Sequence, residues 1–124
     1  MIDEKQLISA LKSIEKSEKA FQILIDQYKE RLYWHIRKIV LNHEDTDDIL
    51  QNTFIKIYKN IHKFEGNSKL YTWMYRIATN EAITFLNKKA KQKNITIEEV
   101  KNQLIENLES DIYFEGNQIQ IVLQ

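Results

Sequence analysis

Residues 64–80 read FEGNSKLYTWMYRIATN, a short polar loop that runs into a helix-forming segment interleaving Tyr71, Trp73 and Tyr75 with Lys69 and Arg76. Gly66 tolerates backbone angles that a helix excludes, and Ser68 is suited to serve as a helix cap, so a helix is predicted to start near Lys69. At roughly 100° per residue, Leu70, Met74, Ile77, Ala78 and Phe85 fall on one face, the predicted core, while Lys69, Arg76, Asn80, Asn87 and Lys91 fall on another. Trp73 lies on the border between them. Tyr75 is expected to point well away from the core, so neither ring is needed to fill the interior. Exposed rings among cations suit unstacked nucleic-acid bases, because rings stack on base faces while cations take the phosphates. The plainer alternative is an amphipathic helix whose aromatics are core residues.

Working outward, the segment before the loop breaks pattern at Asn42-His43-Glu44-Asp45, where Asp45 or Thr46 can cap a helix running to about His62. Its predicted buried stripe is Ile49, Leu50, Phe54, Ile57, Tyr58 and Ile61. Asp48, Gln51, Asn52, Ile55 and Lys59 are left outside, and an isoleucine exposed within an acidic and amide patch reads either as a protein contact surface or as a solvated helix face. Earlier still, Ser17 can cap a long helix in which Phe21, Leu24, Ile25, Tyr28, Leu32, Ile36, Ile39 and Val40 recur at three and four, the pattern of bundle core. Tyr33, Trp34 and His35 widen its apolar side; Trp34 is expected to be partly exposed, and His35 to be a helix-surface histidine rather than a ligand. Leu7, Ile8, Leu11 and Ile14 predict a short first helix within residues 3–15, with Asp3 and Glu4 at its start.

Downstream, a basic run (Lys88, Lys89, Lys91, Lys93) precedes Thr96-Ile97-Glu98-Glu99, a capping-box match predicting a further helix to about Leu108. Its apolar positions, Val100, Leu104, Ile105 and Leu108, are sparse in a polar, acidic setting, so residues 94–124 are expected to be an acidic linker with helical tendency. Residues 113–124 begin another apolar-periodic segment that no cap or breaker closes, which predicts a helix cut short.

The totals agree with one helical domain. The chain has 124 residues, 43% of them hydrophobic, with no proline and only two glycines, which favours long uninterrupted helices over turn-rich β structure. The absence of cysteine excludes disulfides and thiolate metal sites. No apolar run approaches the roughly 20 residues needed to span a bilayer, and the N-terminus lacks the basic-then-apolar order of a signal peptide, so a cytoplasmic protein without membrane insertion is expected. The formal charge of zero conceals a polarity: residues 56–93 carry nine basic groups against two acids, whereas residues 94–124 carry one against six. A basic middle followed by an acidic tail is the distribution expected when the middle meets a polyanion; the alternative is a solvated, lysine-rich helix end.

Two blocks together resemble region 2 of bacterial sigma factors, most closely the extracytoplasmic-function (ECF) group of the sigma-70 family. They are Asp47-Asp48-Ile49-Leu50-Gln51-Asn52-Thr53-Phe54 and residues 64–80, and with the preceding long helix the resemblance covers roughly residues 18–93. It implies an all-α fold of three long helices plus a short N-terminal helix, with residues 1–93 as region 2 and residues 94–124 as linker and the start of region 4. It implies a non-enzymatic transcription initiation factor that uses no cofactor. Asp48, Gln51, Asn52 and Ile55 would contact core RNA polymerase at the clamp coiled coil of its largest subunit. The loop from Phe64 through Asn67 and Ser68 would capture a base flipped from the non-template strand of the minus-ten promoter element. Lys69, Tyr71, Trp73, Arg76 and Asn80 would hold the opened strand, and Lys88, Lys89 and Lys91 the adjoining phosphates. An anti-sigma factor is a further implied partner. The chain departs from the family at Asn52 (usually an acid), Leu70 (an aromatic), Thr84 (an aspartate) and Asn87 (an arginine). The family's second domain, a helix-turn-helix, would begin in residues 113–124.

Two rival readings remain open. His43, Glu44, Asp47 and Asp48 could start a divalent-metal site of a helical nucleotide hydrolase, although such sites normally need acids from a second helix. A helical adaptor that binds only protein would use Ile55 and Trp34 as anchors, and would leave the aromatic and cationic order of residues 69–76 without a use.

Overall fold

The computed structural model describes residues 3–13, 15, 17–93 and 96–108. The helix predicted within residues 113–124 lies outside them. The described residues form α1 (Glu4–Leu11), α2 (Ser17–Val40), α3 (His43–Asn60) continued by a 3-10 turn (Ile61–Lys63), α4 (Leu70–Gln92) and α5 (Ile97–Leu108), with no strand among them. The all-α bundle expected from the sequence is what forms.

The starts of α1, α3 and α5 each have a local chemical cause. Asp3 opens α1 with a capping box, its Oδ1 accepting from the Gln6 amide at 2.8 Å while Gln6 Oε1 accepts from the Asp3 amide at 3.1 Å. Between α2 and α3 the chain reverses in two residues, with Leu41 in the left-handed region (φ 65°) and Asn42 as the cap of α3. Asn42 Oδ1 accepts from the Asp45 amide at 2.9 Å, and the Thr46 hydroxyl donates to the Asn42 carbonyl at 2.6 Å. The cap is therefore Asn42 and not Asp45 or Thr46, which lie in the first turn. Thr96 caps α5 as predicted, accepting from the Glu99 amide at 3.1 Å.

The three long helices each pack on the other two, α1 lies on α2, and α5 lies on both α2 and α4. Leu24, Leu32 and Ile36 of α2, Ile57 of α3, and Leu70, Met74, Ala78, Ala82 and Ile83 of α4 lose all contact with solvent. Val100 and Leu104 bring α5 into the same core, so residues 97–108 are a docked helix rather than a loose tether.

The buried arc of α4 is wider than its predicted stripe and turned toward a neighbouring flank. Leu70, Met74 and Ala78 are core as expected, but Ile77 and Phe85 are only half-buried, and Tyr71, Tyr75, Thr79 and Ile83 are buried instead. Because α4 is enclosed by α2, α3 and α5, a single stripe could not cover it. Tyr75, expected outside, is 1% exposed, and His35, expected on the surface of α2, is buried against it. The two rings stack with centroids 3.8 Å apart. Thr79 Oγ donates to the Tyr75 carbonyl at 2.8 Å and lies 2.6 Å from His35 Nε2, so with its proton committed the hydroxyl oxygen accepts from the imidazole.

Candidate nucleic-acid and polymerase interfaces

The loop before α4 is held at its ends and open in its middle. Phe64 terminates the 3-10 turn, its amide donating to the Ile61 carbonyl at 3.1 Å, and its ring is buried with its centroid 5.2 Å from that of Trp73. Gly66 has φ 78° with no atom within 4 Å of where a Cβ would stand, so glycine is required by the backbone turn and not by crowding. Asn67 is exposed and its side-chain amide donates to Glu65 Oε2 at 3.4 Å. Ser68 does not cap α4: its hydroxyl donates to the Lys69 carbonyl at 3.3 Å, and Lys69 occupies the cap position without a side-chain bond. The Leu70 amide reaches instead to Glu4 Oε2 of α1, at 3.4 Å.

Beyond the loop, helical spacing sets Lys69, Trp73, Arg76, Asn80 and Lys91 along one outer strip of α4, with Trp73 half-buried and the others exposed. Phe64 lies against the indole from within and is itself buried. Tyr71 is removed from this strip. It faces α2 at 8% exposure, stacked on Tyr28 with centroids 5.9 Å apart and covered by the Arg31 guanidinium 3.7 Å from its ring centre, which leaves no free face for a base. Lys88 and Lys91 are exposed, whereas the Lys89 ammonium is already engaged, 3.3 Å from Asp45 Oδ2 and over the Phe85 ring. With a Lys56–Glu81 ion pair, it ties α3 to α4. Among the family departures, Leu70 is fully buried and so acts in packing, Asn87 is half-buried, and Asn52 and Thr84 are exposed.

A second face lies on α3. Asp48, Gln51, Asn52 and Ile55 are all exposed on one side of the helix, as expected, with Ile55 51% exposed. Gln51 and Ile55 also line an open groove of about 730 Å³ between α2 and α3, floored by Phe21, Ile25, Leu50, Phe54 and Tyr58 and rimmed by Glu18, Lys29 and Lys59. Tyr58, predicted as core, is 48% exposed here, edge-on to Phe21 at 5.0 Å. Sequence reasoning missed the groove, although Leu50, Phe54 and Tyr58 at spacings of four were a usable signal of an apolar ridge beside the core stripe. The rival metal site finds no shell: His43 is engaged by the Tyr33 hydroxyl at 2.6 Å and by Asp47 at 3.3 Å, and among the described residues no three His, Cys, Asp or Glu side chains come together.

Residues 24–92 match the family model of Sigma-70 region 2. The chain belongs to that family. The sigma-70 region 2 match begins inside α2 and ends at the last residue of α4, so it contains both faces but not α1 or α5. The chain is 37% identical over 87 residues to an ECF RNA polymerase sigma factor of Bacillus subtilis, SigW, which covers 69% of this chain and 46% of the relative. It is 34% identical over 88 residues to an ECF RNA polymerase sigma-E factor of Haemophilus influenzae, covering 68% and 46%, and 38% identical over 69 residues to that of Escherichia coli, covering 56% and 36%. The chain thus spans about half the length or less of the curated relatives it matches. These relatives are ECF sigma factors and not enzymes. No helix among the described residues is long and apolar enough to cross a membrane.

Proposed function

We propose that this chain is the part of an ECF sigma factor that docks on core RNA polymerase and holds the opened non-template strand of a minus-ten element. The observation that carries the reading is the outer strip of α4: Lys69, Trp73, Arg76 and Asn80 come directly after a loop whose Asn67 is exposed and whose Gly66 faces open space where a Cβ would stand. Taking a base out of the stack costs a few kcal/mol. A stack on Trp73, worth roughly 1–3 kcal/mol, would offset much of that cost, while Lys69, Arg76, Lys88 and Lys91 would neutralise phosphates. Asn67 would read the edge of the captured base, since its amide both donates and accepts.

The α3 face would meet the clamp coiled coil of the polymerase's largest subunit, with Asp48, Gln51 and Asn52 as polar contacts and Ile55 anchoring one edge of the apolar groove. An anti-sigma protein would be a second partner, and the cytoplasm the setting. In this reading residues 94–124 lead toward a second DNA-reading domain, with α5 staying docked on the first. Binding to single-stranded oligonucleotides with and without a TA-rich minus-ten sequence tests the proposal. A preference for the minus-ten strand that Asn67→Ala alters more than it weakens overall affinity is the expected result; equal binding of both strands by both proteins would overturn it.

A further inference from the structure

α4 begins directly after the exposed loop without any of the usual local devices. Lys69 makes no side-chain cap, Ser68 turns its hydroxyl the other way, and no acid occupies the helix's own first turn. The first amides of a helix need an acceptor, and its positive dipole end favours an anion. For the first of these amides the acceptor comes from outside: the Glu4 carboxylate lies 3.4 Å from the Leu70 amide and sets a negative charge at the helix start. At the other end of the loop, Lys12 Nζ donates to the Phe64 carbonyl at 2.7 Å, a charge-assisted bond across 52 residues of sequence. Between these points, Glu65, Gly66 and Asn67 are exposed, so packing does little to hold their conformation.

Neither polar residue is needed to seat α1. Leu7 and Leu11, at 1% and 3% exposure, bind that helix to the core, whereas Glu4 and Lys12 are exposed side chains. Both nonetheless give up rotamer freedom to hold backbone groups of one loop. Glu4 is also close enough to raise the pKa of Tyr28, which stacks on Tyr71 in the first turn of α4. The brace comes from residues outside the stretch that matches sigma-70 region 2.

We propose that α1 is a two-point positioning brace for the base-capture loop, Lys12 holding its entry at the Phe64 carbonyl and Glu4 holding its exit at the Leu70 amide. This rests on the base-capture reading above, and the experiment separates the two. The full chain bound to core polymerase is titrated with a forked promoter fragment carrying 2-aminopurine in the non-template minus-ten strand, whose emission rises on unstacking. Lys12→Met and Glu4→Ala should each weaken capture roughly two- to tenfold, the span of one hydrogen bond. Lys12→Arg should recover most of the loss, and Glu4→Ala should speed hydrogen exchange at the Leu70 amide. Leu7→Ala, compared at matched fraction folded, controls for simple destabilisation. If Lys12→Met and Glu4→Ala capture like wild type while Asn67→Ala does not, the brace is overturned and base capture stands. If Leu7→Ala loses capture as they do, the role is merely structural and the brace is likewise overturned. If Asn67→Ala and Trp73→Ala also capture like wild type, base capture itself falls, and the brace with it.

Discussion

The two flanks of α4 both carry aromatic residues but set them in opposite surroundings. On the inner flank Tyr71 and Tyr75 are enclosed, one between Tyr28 and Arg31, the other against His35. On the outer flank Trp73 lies against Phe64 and is only half-buried. Positions two apart on a helix point nearly opposite ways, so the alternation Tyr71, Trp73, Tyr75 places its members on different sides by geometry alone. What decides an aromatic's role is whether neighbouring helices already occupy its faces.

The comparison breaks first at the core. Met74→Asp places a carboxylate at a fully buried position on the inner side, at a cost of several kcal/mol against a typical stability of about 5–15, so cooperative thermal unfolding should disappear. Half-buried Ile77 is the gentler site for the same change, and a melt of Met74→Asp like that of wild type would mean that the packing is misassigned. Next, His35→Ala removes the stack on Tyr75 and the bond to Thr79, and should destabilise by about 2–4 kcal/mol while leaving strand affinity at matched fraction folded unchanged.

A pH series sharpens the inner flank. Burial first, and Glu4 second, raise the Tyr28 hydroxyl above its ordinary 10.0, with Arg31 opposing. A raised folded value means that the neutral phenol is favoured by folding, so its contribution is fully present below pH 10.0 and is lost as pH climbs through the folded value. Tyr28→Phe should therefore flatten part of the alkaline loss of stability above that pH, and an unchanged profile would remove Tyr28 from the account. The smallest expected effect on stability belongs to the outer side of α3. Asp48→Ala with Gln51→Ala should shift it by no more than about 0.5 kcal/mol while pull-down of core polymerase falls. A large drop in melting temperature with unchanged pull-down would make these residues structural.

The first four helices were legible from their apolar periods with no proline to interrupt them, α5 from its capping-box sequence, and the outer strip of α4 from spacing once one core residue was known. Tyr75 and His35 were not, because the reading allowed α4 one buried face and the fold encloses it from three sides. The Ser68 cap failed for a different reason: its replacement, Glu4, comes from another helix, which no local pattern contains. Tyr58 and Phe21 show the converse limit. Periodicity marks a position as apolar without telling a seam closed by another helix from a groove left open beside Ile55. Among the described side chains of α5, Val100 and Leu104 are the buried ones, too few to register as a stripe.

The central claim is that Trp73 is a stacking platform and Tyr71 is not. It is tested most directly by the affinity of Trp73→Ala and Tyr71→Phe for a minus-ten single strand and for the corresponding duplex. Trp73→Ala should lose about 1–3 kcal/mol on the single strand with duplex binding nearly unchanged, and Tyr71→Phe should bind both like wild type. Equal losses on strand and duplex for Trp73→Ala, or a selective single-strand loss for Tyr71→Phe, would contradict the assignment of the two flanks.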